Sequence, residues 1–337
     1  MFKEKSMEGE KRIPFMGKMF DVVEAARADV NEKTPFIKDV DIERDVVYKS
    51  INGQNLVMDI YKPKNKPEGL SPAVFIIPGG GWLIHNIKRR GGYASHFTAL
   101  GATVFIADYR VSPNVRFPEH LWDVVDAFDF VYDNAAKYGI DVNNVVITGD
   151  SAGGQLAACL ACCSTTPGYA QKVGVPVPKI TPAGCIFVSG AFSFETMCRI
   201  PVAHTLIAKP FSGFRTKKAF KNWEFYKEAN PMKCITENFP VSYNSGGKYD
   251  LFCLGDAKRM SDVLTSKGVK NEYFVGTGSR DDHCYILRSP YLFARRDMLK
   301  LIKWYVSLEK EKGVDMSVPM VKMEEYLNNP AKKYIPE

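Results

Sequence analysis

The chain has 337 residues, 45% of them apolar and 25% charged, a composition that excludes a disordered chain, a collagen-like fibre and a coiled coil. Its length suits one core enlarged by insertions. Lys and Arg number 45 against 38 Asp and Glu, for a net charge of +7; the excess is spread rather than gathered into a stripe, so no nucleic-acid partner is expected.

The first twenty residues, MFKEKSMEGEKRIPFMGKMF, contain no apolar h-region, which argues against a signal peptide. No apolar run reaches the length of a membrane span, so no membrane partner is expected. The eight cysteines form no paired CxxC pattern. They read as small buried hydrophobes, with no metal site, in a reducing cytoplasmic setting. A helical pattern near residues 20–30 precedes the first strand. Two alternating segments, 46–49 and 56–61, then suit an antiparallel sheet edge.

Beyond them come short apolar runs without polar alternation: AVFII at 73–77, TVFIA at 103–107, VVIT at 145–148, CIFV at 185–188, and the segments 241–244 and 272–275. Strands buried on both faces read this way. The first is followed by Pro78-Gly79-Gly80-Gly81-Trp82. A run of glycines lets backbone N–H groups face a cavity without side-chain obstruction, which makes one half of an oxyanion hole. A phosphate loop would instead need Lys and Ser or Thr at fixed spacing. After Pro118, apolar residues at Leu121, Val124, Val125, Phe128, Val131, Tyr132 and Ala135 follow helical spacing. Asp123, Asp126, Asp129 and Asp133 are expected on the solvated face. Strand and helix alternation predicts an α/β architecture with a parallel sheet between helical layers.

The run VVIT leads into Gly149-Asp150-Ser151-Ala152-Gly153 and then into a helix with Leu156, Cys159, Leu160 and Cys163 on one face. GxSxG alone is a weak signal. Between a strand and a helix it is the setting of a nucleophile elbow, with Ser151 as nucleophile and the Ala152 amide as the second half of the oxyanion hole. A serine nucleophile needs a base held by an acid, and on such a sheet both follow it along the chain. Of five histidines, only His204 and His283 come later. His204 falls in the long aromatic connection 190–240, whereas His283 follows the last strand. Asp250, just after the penultimate strand, is favoured as the acid over Asp256.

These elements resemble the α/β-hydrolase fold and, more narrowly, its hormone-sensitive-lipase-like esterase branch. The likeness covers residues 45–310 and rests on PGGGW, DYRVSP, the helix after Pro118, GDSAGG, Asp250 and His283. It implies a mostly parallel eight-stranded sheet flanked by helices with a helical cap. It also implies a triad of Ser151, Asp250 and His283, and oxyanion donors at Gly80, Gly81 and Ala152. The chain divides accordingly into an N-terminal cap segment (1–45), a core (46–190 and 241–312), a cap insertion (191–240) and a C-terminal extension (313–337) of no evident purpose. Two departures stand out. The branch opens its glycine motif with His where this chain has Pro78, as related bacterial esterases that deacetylate plant polysaccharides do. It follows its catalytic His with Gly where this chain has Cys284.

The implied activity is hydrolysis of short acyl esters of small molecules without a metal or organic cofactor. Deacetylation of acetylated sugars is the alternative. A ligand receptor on the same fold is the remote one, disfavoured because Ser, Asp and His are all present. Trp82 and Tyr285 are candidate substrate contacts. Phe192, Phe211, Phe214 and Trp223 could line the same pocket or fill the cap's core. The branch also offers a homodimer through edge strand eight.

Overall fold

A computed structural model describes residues 34–64, 69–84, 87–194, 209–214, 221–253 and 255–329. Among the described residues, eight strands form one sheet: β1 (Val40–Ile51), β2 (Gln54–Pro63), β3 (Ser71–Ile77), β4 (Thr103–Ala107), β5 (Ile140–Asp150), β6 (Gly184–Val188), β7 (Ser242–Gly247) and β8 (Asn271–Gly276). Their order is β1-β2-β4-β3-β5-β6-β7-β8. The pairs from β4 to β8 are parallel, while β2 runs antiparallel to both β1 and β4. The sheet is thus the mostly parallel one expected, with the antiparallel pair at one edge.

The apolar runs lack alternation because both faces of the sheet are covered. In β3, Ala73, Phe75 and Ile77 face one core, and Val74 and Ile76 face the other. Helices α2 (Glu119–Asp133), α3 (Ala152–Thr165) and α4 (Asp256–Ser266) cover the first face. Helices α1 (Gly91–Ala99), α5 (Leu292–Glu311) and α6 (Ser317–Asn328) cover the second. Phe75 meets Phe128 of α2 with ring centroids 5.1 Å apart; burying one such ring contributes about 1.5–3 kcal/mol.

Helix α2 starts at Glu119 with Pro118 in the capping position, and Leu121, Val124, Val125, Phe128 and Val131 are all buried. One member of its acidic series departs from the expected solvated face, while Asp126 and Asp133 are exposed. Asp123 is fully buried. Its carboxylate accepts from Arg110 through Nε at 2.7 Å and Nη2 at 3.0 Å, and from Lys49 Nζ at 2.8 Å. Asp126 pairs with the same Lys49, and Asp133 with Lys179. The periodicity shows only the apolar stripe. The cations that draw Asp123 inward stand outside the helix, Lys49 on β1 and Arg110 on the loop after β4. Tyr132, counted in that stripe, is instead exposed.

Of the expected cap, residues 1–33, 195–208 and 215–220 lie outside the described residues, as does His204. The C-terminal extension is helical through α6. Met320, Met323, Tyr326 and Leu327 are buried in the second core, and the Arg295 guanidinium of α5 sits 4.6 Å from the Tyr326 ring centre.

The parallel strands bring their carboxyl ends to one rim, where open α/β sheets present their binding crevice. Along that rim lie the glycine loop after β3, Ser151 after β5, Asp250 after β7 and His283 after β8.

Candidate active site

Ser151 occupies the turn between β5 and α3 with φ 52° and ψ −119°, a conformation that costs a side-chain-bearing residue about 1–3 kcal/mol. Its neighbours hold it there. Its N–H donates to Val188 O at 3.0 Å, and its carbonyl accepts from Ala191 N at 3.1 Å. The turn also needs glycine on both sides. A Cβ on Gly149 would lie 2.2 Å from Gly153 O, and one on Gly153 would lie 2.0 Å from Ile77 O. The tight turn leaves Ser151 partly exposed at the start of α3.

Ser151 Oγ lies 2.8 Å from His283 Nε2. On the other side of the ring, Nδ1 lies 2.9 Å and 3.0 Å from the two oxygens of Asp250. Asp250 Oδ1 also accepts the amides of Phe252 at 3.1 Å and Cys253 at 3.0 Å, which orients the carboxylate from its own loop. Burial opposes ionisation of Asp250, but the adjoining His283, its hydrogen bond and the Cys253 amide outweigh burial and hold the carboxyl below its ordinary range. Burial likewise disfavours the His283 cation. The surroundings of Cys284, Asp250 and Cys253 outweigh it and raise His283 well above its ordinary value of 6.5. The structure brings these three predicted side chains into one hydrogen-bonded line. A base placed this way can take the serine proton while the carboxylate stabilises the resulting imidazolium.

Asp256, the other candidate acid, does not reach His283. It heads α4, where its carboxylate accepts from Ser193 N at 2.9 Å and pairs with Arg259. Burial, only partly offset by Arg259, raises it to about 6.

The glycine loop runs beside the elbow. Gly80 and Gly81 take φ values of 143° and 63°. A Cβ on Gly80 would lie 2.1 Å from Ile84 O, so only glycine fits there. The Ala152 N–H is one of the first-turn donors that a helix leaves without an internal acceptor. The Tyr109 hydroxyl donates to Pro78 O at 2.8 Å and pins the loop where it leaves β3. Trp82 is buried. Its indole N–H donates to Gln155 Oε1 at 3.2 Å, and its ring lies 5.2 Å from Phe194 and 4.6 Å from Phe211. Phe192, Phe211 and Trp223 are buried in the same core, with Phe214 packed against it. Tyr285 is turned into the fold, donating to Asp297 of α5 at 2.7 Å. The ring that does lie on the triad is Phe252, half exposed and 5.1 Å from the imidazole of His283.

Asp250, Cys253 and His283 offer metal-ligand atoms within 4.8 Å of one another. Those atoms are already engaged: the Cys253 thiol donates to Ser189 O at 3.0 Å, and the other two bond each other.

Sequence reasoning missed the pair behind the elbow. Asp150 is held by Arg90 through Nε–Oδ1 at 2.7 Å and Nη2–Oδ2 at 2.8 Å, with both side chains buried. An acidic residue between a buried strand and a buried serine turn was the available signal, since such a charge calls for a partner.

A family model described as BD-FAE matches residues 58–251. The chain is 27% identical over 199 residues to esterase LipC of Mycobacterium tuberculosis, across 55% of this chain and 45% of that protein. It is 35% identical over 124 residues to arylacetamide deacetylase of Bos taurus, across 35% of this chain and 31% of that protein. The chain thus matches about a third to a half of the length of these curated relatives. A solved structure of esterase B from Lactobacillus rhamnosis is similar with a TM-score of 0.78 at 19% identity, over 90% of this chain and 98% of that one. At that identity the likeness concerns the fold.

Proposed function

The chain belongs to the BD-FAE family, in the hormone-sensitive-lipase-like branch of the α/β-hydrolase fold, and from that premise we propose that it is a serine carboxylesterase acting on short acyl esters through an acyl-enzyme on Ser151. The observation that carries the reading is the line from Ser151 Oγ through His283 to Asp250, at 2.8 Å and 2.9 Å, on a strained elbow beside the glycine loop.

Ser151 Oγ attacks the ester carbonyl as its proton passes to His283 Nε2. The new oxyanion is held by the amides of Gly80, Gly81 and Ala152, donors aimed at charge that appears only in the transition state. The tetrahedral carbon collapses, its bond to the alkoxy oxygen breaks, and His283 protonates the departing alcohol. A water then gives a proton to His283 and attacks the acyl carbon. The carboxylic acid leaves as Ser151 recovers its proton. Asp250 holds the imidazole in the productive tautomer throughout.

The short-acyl part of the reading is supported by Trp82, the residue after Gly81, whose buried ring packs against Phe194 and Phe211. Deacetylation of an acetylated sugar or aryl amine is the second reading. It is favoured by Pro78 at the head of the glycine motif and by the likeness to arylacetamide deacetylase.

One panel tests both: p-nitrophenyl esters from acetate to dodecanoate, beside acetylated xylo-oligosaccharides and p-nitroacetanilide. The first reading expects the highest kcat/KM on the shortest p-nitrophenyl esters; a sharp preference for the oligosaccharides or the anilide would replace it with the second. Ser151→Ala should lower hydrolysis by several orders of magnitude, and full activity in a clean preparation of that variant would remove Ser151 from the mechanism.

A further inference from the structure

We propose that Arg90 is a positioning residue of the oxyanion hole, acting through the Asp150 carboxylate to hold the glycine loop in register with the nucleophile elbow. The proposal rests on the esterase reading above.

The two halves of the hole come from separate parts of the chain. Gly80 and Gly81 follow β3, and Ala152 opens α3. One carboxylate spans them. Asp150 immediately precedes Ser151 and Ala152, and its Oδ1 accepts the Gly79 N–H at 3.1 Å, one residue before Gly80. The approach is close enough to require glycine. A Cβ on Gly79 would lie 2.5 Å from both Asp150 O and Asp150 Oδ2, and 3.0 Å from Ser151 Cβ.

Arg90 fixes the direction of that carboxylate. It ends the short 3-10 turn Ile87–Arg90 and leads into α1. Its guanidinium meets Asp150 as a fork, Nε on Oδ1 at 2.7 Å and Nη2 on Oδ2 at 2.8 Å. Two parallel bonds set the plane of the carboxylate, which a single ammonium cannot do. The side chains are only 3% and 6% exposed, so water does not loosen the pair. Buried ion pairs add little net stability compared with apolar residues of the same size. The value of this one lies in orientation: it keeps Oδ1 aimed at Gly79. Oxyanion donors work only when they lie about 2.7–3.1 Å from the developing charge, and a misplacement of about 1 Å can cost about a hundredfold in rate.

The test compares wild type, Arg90→Gln and Arg90→Lys on p-nitrophenyl acetate. Thermal unfolding establishes that each variant is folded, and phenylboronic acid serves as a probe whose tetrahedral serine adduct places an oxygen in the hole. Arg90→Gln should lower kcat about 10–100-fold with KM within about twofold, because the lost contacts act in the transition state. Its affinity for phenylboronic acid should fall by a similar factor. Arg90→Lys keeps the charge but loses the fork, so it should regain thermal stability and only part of kcat. Should Arg90→Gln fail to fold, Arg90→Lys carries the test.

A folded variant with wild-type kcat would overturn the proposal and leave the esterase reading standing. So would a loss confined to KM, or a loss of kcat with unchanged boronate affinity. An inactive wild type would overturn the esterase reading itself, and the proposal with it.

Discussion

The Nδ1 atom of His283 faces both carboxylate oxygens of Asp250, at 2.9 Å and 3.0 Å. With an acceptor on that side, Nδ1 carries the proton and Nε2 is left as an acceptor toward Ser151 Oγ. Asp250→Asn can present an amide N–H to Nδ1 and reverse that tautomer. The expected result is a fall in kcat of about 10⁴-fold with little change in fold, read from steady-state kinetics and circular dichroism. Asp256→Asn is the contrasting variant. Its carboxylate serves Ser193 and Arg259, so kcat should stay within a few-fold of wild type. Comparable losses in both variants would remove the distinction between the two acids.

The pH profile follows from the same pair. His283 must be neutral to act as a base, and its surroundings raise it well above 6.5. Activity should therefore fall as pH drops through that raised value, so the acidic limb of kcat/KM should lie on the alkaline side of 6.5. An acidic limb below 6.5 in the wild type would show that burial outweighs Asp250 at His283. Stability should move the other way. The charged pair is fully formed below the unfolded histidine value of 6.5 and above the unfolded carboxylate value of 3.8. Its contribution is lost as pH rises through the raised His283 value, or falls through the depressed Asp250 value. The Tm difference between wild type and His283→Gln should be greatest inside that window and shrink at alkaline pH.

The elbow makes a prediction about packing. A methyl group on Gly153 would overlap the carbonyl of Ile77 at 2.0 Å and the carbonyl carbon of Pro78 at 2.7 Å. Both are backbone atoms at the root of the glycine loop, so the strain cannot be relieved by rotating a side chain. Gly153→Ala should cost at least about 1–3 kcal/mol of stability and lower kcat more than the folded fraction accounts for, because the loop itself must move. Thermal unfolding and kcat measured on the same preparation separate the two effects.

The geometry of the candidate site was legible where its residues are local in the chain. Ser151 announces itself because strand, glycine turn and helix are consecutive. His283 and Asp250 are located by what precedes them, the last two strands of an alternating pattern. Arg90 was not legible. It follows Lys88 and Arg89 in a segment that reads as a basic loop, and its partner Asp150 stands sixty residues on. Tyr285 misled for the converse reason: it lies two residues from His283, yet the turn Tyr285–Arg288 directs its hydroxyl to Asp297. The aromatic residues near 211 and 223 are a third case. Composition marks them as apolar, but only packing shows that Phe211 lies against Trp82. The long-range partners of charged and aromatic side chains are what periodicity omits.

The same limit underlies Asp123, which helical spacing assigned to water. Asp123 is buried with Arg110 folded over it: the Arg110 backbone N–H and Nε both donate to Oδ2, and Nη2 donates to Oδ1. Lys49 reaches Oδ1 from β1 and bridges to Asp126. Removing the guanidinium leaves a buried carboxylate with one partly exposed ammonium, and uncompensated buried charge costs about 3–5 kcal/mol. Arg110→Met should therefore lower Tm by roughly 4–7 °C for a chain of this size. Arg110→Met combined with Asp123→Leu removes both charges and should recover most of that loss, because apolar residues of similar volume replace a buried pair at little cost. Neither substitution alters a group that bonds to Ser151, His283 or Asp250, so kcat per folded molecule should stay near wild type in both. A double variant no more stable than Arg110→Met would show that Asp123 acts through Lys49 and the Arg110 backbone rather than through the guanidinium.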